Sequence, residues 1–156
     1  MTKITIGPFN IEKIDTSAKV TLPFEGDEED YDVGARIQLA GPGWKALEFE
    51  RGLVEFTRLL FEITLDAIVL GKTRSERDLD NGGLFCSVEV DPSGQARFTI
   101  LGVAGTDTYP ALQILRDCYQ LAESELLHVV AAAGVQGLVQ APFVGLPLGA
   151  RTMRLK

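Results

Sequence analysis

Between Gly83 and Gly102 the chain reads GLFCSVEVDPSGQARFTILG, and this stretch restricts the fold more tightly than any other. Leu84, Cys86, Val88 and Val90 alternate with Phe85, Ser87 and Glu89; beyond the middle, Ala96, Phe98 and Ile100 alternate with Gln95, Arg97 and Thr99. Side chains two apart share one face of a strand, so each arm carries one apolar face. Asp91-Pro92-Ser93-Gly94 supplies the turn between them. Asp suits the first turn position, Pro presets the next φ, and Gly accepts the left-handed position that closes a bulged hairpin. With Asp91 facing Gln95, Val90 meets Ala96, Val88 meets Phe98 and Cys86 meets Ile100. The other face then sets Glu89 against Arg97 and Ser87 against Thr99. A slip of one residue would lose both sets of matches at once, which fixes the register.

Around this hairpin the 156 residues suit a single domain, 1–156, with ordinary globular usage: 46% apolar and 24% charged. Ile4 with Ile6, Val20 with Leu22, and Ala35 with Ile37 and Leu39 alternate with polar residues and read as short antiparallel strands; Ile11 and Ile14 make a weaker segment. Gly7-Pro8 and Gly41-Pro42-Gly43 break the chain between them. Trp44 opens a further strand, with Leu47 and Phe49 inward and Glu48 and Glu50 outward. From Arg51 the period changes. Leu53, Phe56, Leu60 and Ile63 mark a helical face, and Arg51–Glu55 and Arg58–Glu62 are spaced to pair along it. Leu65–Leu70 reads as strand again, followed by a charged loop over 72–82. Thr108 and Pro110 suit the start of a second helix whose stripe is Leu112, Leu115, Tyr119, Ala122, Leu126 and Val129–Val130, ended by Gly134. Residues 151–155 suit a last strand. The expectation is an α+β fold: a mainly antiparallel sheet with two helices packed on one face.

Several chemistries can be weighed against this outline. Gly71-Lys72-Thr73 resembles the end of a phosphate loop, but Asp66 stands where the motif wants its first glycine. Asp78, Asp80, Gly83 and Glu89 match part of a calcium loop, but Gly82 takes a ligand position and Glu89 already faces Arg97. The single histidine, His128, excludes any site built from several imidazoles. The two cysteines, Cys86 and Cys118, fall at apolar positions and read as buried free thiols. A reducing, cytoplasmic setting follows, consistent with an N-terminus lacking a long apolar segment. No catalytic residue, metal site or cofactor is therefore assigned.

What remains is charge. The net charge is −7, which disfavours nucleic acid and anionic membranes and favours a basic protein partner. The charge concentrates in FEGDEEDYD, residues 24–32, where Glu25, Asp27, Glu28, Glu29, Asp30 and Asp32 form the candidate partner-binding surface. The tail VQGLVQAPFVGLPLGA, 135–150, is apolar yet broken by Gly and Pro; it suits either a wrap around the core or an interface in a homo-oligomer.

From Trp44 to Leu121 the order of features resembles the WapI-type immunity proteins of bacterial polymorphic toxin systems. Trp44 on a strand is followed by a helix with Glu55, Phe56, Leu59 and Leu60, then the Gly83–Gly102 hairpin, then the Thr106–Leu115 segment. The likeness spans about half of the chain, and the tail after Ala132 departs from it. It implies a small cytoplasmic binding protein that neutralises a toxin without catalytic residues. The expected function is thus a non-enzymatic binding protein. The alternatives are a small enzyme or ligand-binding domain with a site between sheet and helices, and an accessory subunit assembling through its tail.

Overall fold

The computed structural model describes residues 3–14, 34–39, 44, 47–71, 77–78 and 83–133, with backbone alone for 77–78 and 126–133. The fold is α+β, and its antiparallel strands divide between two sheets. The first sheet is a meander of β1 (Lys3–Ile6), β2 (Phe9–Lys13), β3 (Gly34–Leu39) and β4 (Glu48–Gly52). After it comes α1 (Leu53–Leu70). The second sheet holds β5 (Arg77–Asp78), β6 (Phe85–Val90), β7 (Gln95–Ile100), β8 (Val103–Ala104) and β9 (Tyr109–Pro110), with β8 and β9 both pairing β7. The chain then enters α2 (Ala111–Ala133).

Local sequence explains the hairpins. Ile6 faces Phe9 across Gly7-Pro8, and only Gly7 has positive φ, at 55°. A positive φ at the first central position alone, followed by Pro, is the mark of a type II′ turn, whose twist matches the strands it joins. The β6–β7 register is the one expected: Val90 faces Ala96, Glu89 faces Arg97, Val88 faces Phe98, Ser87 faces Thr99 and Cys86 faces Ile100. Gly94, at φ 85°, donates to the Asp91 carbonyl at 2.9 Å and closes the bulged turn.

That turn is held by one carboxylate oxygen. Asp91 Oδ1 accepts from Ser93 Oγ at 2.6 Å, Ser93 N at 2.9 Å and Gln95 N at 3.0 Å. The Ser93 hydroxyl first, then the Gln95 amide, the Ser93 amide and the Arg97 charge, favour the ionised carboxyl and hold its pKa below the ordinary value. A pKa lower in the folded state gives stability that is full above the unfolded value, about 3.9, and lost as pH falls through the folded one. Asp91→Asn should therefore be less stable than wild type at neutral pH, with the gap closing in acid. Denaturant unfolding across pH checks this; a gap independent of pH refutes it.

The helices follow amphipathic patterns but not in every detail. α1 continues through Leu65–Leu70, a stretch that reads as strand in the sequence. Thr64, Leu65 and Ala67 are buried while Val69 and Leu70 are exposed. Packing of the helical face outweighs the strand preference of Ile68 and Val69. Arg51–Glu55 and Arg58–Glu62 pair as spaced, at 2.6 and 3.2 Å. Thr57 and Thr64 are fully buried and donate their hydroxyls to the carbonyls of Leu53 and Leu60 one turn back, so neither buries an unmet polar group. On α2 the core face is Ala111, Ile114, Leu115, Cys118, Ala122 and Glu125, which leaves Leu112 exposed. Thr108 does not cap this helix: its hydroxyl lies 3.4 Å from Gln95 Oε1, Pro110 pairs with Gln95, and the Ala111 amide donates to the Gly94 carbonyl at 2.9 Å.

α1 packs on α2 and on β6 and also touches β4, while α2 reaches β9 and β1. Where these layers meet, a run of edge-to-face rings crosses the core: Phe49–Phe56 at 5.9 Å, Phe56–Phe9 at 5.2 Å, Phe9–Phe98 at 5.9 Å and Phe98–Tyr109 at 6.0 Å. It begins in the first sheet, passes through α1 and ends in the second, so the two sheets share one apolar interior. The expected strands at Val20–Leu22 and 151–155, and the apolar tail 135–150, lie outside the described residues. Among the described residues no helix is long and apolar enough to cross a membrane.

Candidate functional site

The acidic run belongs to the connection between β2 and β3. Glu25, Asp27, Glu28, Glu29, Asp30 and Asp32 themselves lie outside the described residues, but both ends of their segment are placed. Lys13 faces Ala35 in the ladder, and the next residue, Ile14, donates its amide to the Gly34 carbonyl at 3.1 Å. Residues 15–33 therefore leave and re-enter at one end of the first sheet.

At that end, one residue row crosses the sheet on its helix-covered face: Lys13, Ala35 and Arg51. Ala35 is fully buried, and its flanking cations need counter-charges. The helices supply them in opposite senses. Lys13 Nζ meets Glu125 Oε2 of α2 at 3.1 Å; the lysine side chain is 39% exposed and the carboxylate 7%. Arg51 meets Glu55 of α1 at 2.6 Å; here the cation is the covered partner, at 14%, and the carboxylate is 37% exposed. Each pair thus ties strand to helix while leaving one member in contact with water.

Glu125 occupies a position of the α2 stripe where an apolar residue would otherwise sit. Its place three residues after Ala122 and seven after Cys118 is the sequence signal for an inward carboxylate. Lys13→Met should leave this covered carboxylate without its cation and lower stability by about 1–3 kcal/mol. Glu125→Gln, which removes the charge from the covered site, should lose less. Denaturant unfolding of both variants checks the order, and equal effects would refute it.

The opposite face of the first sheet is polar. Arg36 lies between two carboxylates, with Nη1 at 3.2 Å from Glu12 and Nε at 2.8 Å from Glu48. Gln38 bridges Glu48 and Lys3, at 3.3 Å to each. These groups satisfy one another in a solvated ladder of modest energetic weight.

The other sequence candidates are placed as follows. Gly71, at φ 78°, ends α1 as a left-handed cap. A helix C-terminus presents carbonyls, whereas a phosphate loop needs the free N–H groups of an N-terminus, so the resemblance of Gly71-Lys72-Thr73 carries no anion site. Asp78 faces Phe85, and Glu89 stands four residues further along β6, opposite Arg97. Four strand steps separate the two backbone positions by roughly 13 Å along the sheet. Asp80 lies outside the described residues. Among the described residues no group of three or more His, Cys, Asp or Glu could hold a metal ion. His128 falls within α2, its side chain outside the described set.

Cys86 and Cys118 are buried and unbridged. Burial pushes the Cys86 thiol up to about 12; burial first, and then the neighbouring Asp117 charge, pushes Cys118 well up. Both stay protonated near neutral pH, and a thiol without its thiolate is neither a good nucleophile nor a metal ligand.

Compared with known proteins, the chain matches no family model, no curated protein and no solved structure.

Proposed function

We propose that this protein is a non-enzymatic binding module of the immunity type, acting in the cytoplasm to neutralise a basic protein toxin through the acidic connection between β2 and β3. The observation that carries the reading is the concentration of six carboxylates between Glu25 and Asp32, on a segment whose two ends are joined by the Ile14–Gly34 hydrogen bond. Such a local negative field speeds encounter with a cation-rich surface and selects partners by sign of charge. Among the described residues, Lys13 and Arg51 beside its root are each engaged by a helix carboxylate, which reduces their opposition to that field. The overall charge of −7 acts in the same direction. The order of features from Trp44 to Leu121 supports the immunity class in particular.

The test replaces Asp27 and Asp30 with Asn and Glu28 and Glu29 with Gln. The partner is obtained from the neighbouring gene or by pull-down, and association is followed over a range of salt. The run holds little apolar content, so the melting temperature should hardly change. At low salt the association rate should fall by roughly tenfold or more, and its dependence on salt should flatten. Association at the wild-type rate across all salt concentrations would refute the proposal.

A further inference from the structure

We draw no further inference here: the strongest candidate, the exposed apolar patch of Phe85, Leu101 and Val103 at the β7–β8 turn end of the second sheet, has nothing in the structure to show what covers it.

Discussion

Phe98→Ala should lower the stability of the folded protein by about 3–5 kcal/mol, the range for deleting a buried aromatic ring. Phe98 is fully buried and stands where the two sheets meet, edge-to-face with Phe9 of the first and Tyr109 of the second. Its ring also closes on the β1–β2 turn. A side chain added at Gly7 would meet Phe98 Cε1 at 3.5 Å and Ile114 Cδ1 at 3.6 Å. The walls of the resulting cavity would be backbone turn, rigid rings and helix, none of which moves inward easily. The loss should therefore lie near the full transfer-plus-cavity value. Denaturant unfolding should show a lower midpoint with an unchanged slope. Leu112→Ala is the matched control: it removes a comparably apolar group from an exposed position of α2 and should change stability by less than about 0.5 kcal/mol. A loss below about 1 kcal/mol for Phe98→Ala would show that the ring does not join the sheets.

Gly105→Ala should cost about 1–3 kcal/mol, the usual penalty for overpacking, and the cost should depend on Trp44. Trp44 lies just before β4, yet its indole Nε1 donates to the Val103 carbonyl of β8 at 3.3 Å. The ring covers Gly105, whose amide donates to the Phe98 carbonyl at 2.7 Å. A Cβ at Gly105 would fall well inside van der Waals contact with Trp44 Cζ2, at 2.7 Å from Cη2 and 3.3 Å from the Phe98 carbonyl oxygen. Neither a fused ring nor a strand carbonyl yields as a flexible side chain would. The requirement here is space and not an unusual φ, since Gly105 is absent from the positive-φ glycines. In a Trp44→Ala background the substitution should cost much less, giving an interaction energy of about 1 kcal/mol or more. Because Trp44 is the sole tryptophan, its fluorescence should shift in Gly105→Ala under native conditions. Additive effects within about 0.5 kcal/mol would refute the interlock.

The two predictions differ in how far the sequence anticipates them. Phe98 as a core residue follows from alternation in β7 and from its match with Val88, both contained in one hairpin. The Trp44–Gly105 contact joins two residues that flank strands of different sheets, β4 and β8, and a glycine beside a short edge strand reads in the sequence only as loop. The candidate site divides in the same way. The acidic run is legible as composition. Its root is not, because Lys13 and Glu125 lie 112 residues apart and neither position signals the other.

By itself the sequence determined the α+β class, the register of β6 with β7, the turn chemistry at Asp91–Gly94 and the two ion pairs with four-residue spacing, Arg51–Glu55 at the β4–α1 junction and Arg58–Glu62 within α1. Each depends on residues within one turn or one hairpin, where side-chain direction follows from the backbone period. Only the tertiary structure decided that the strands form two sheets, that α1 extends to Leu70, that Leu112 faces water while Glu125 turns inward, and that Thr108 bonds Gln95 and does not cap α2. These outcomes depend on which apolar faces meet. That is settled by total burial among elements distant in the chain, and it outweighs local preferences worth only tenths of a kcal/mol up to about 1 kcal/mol per residue.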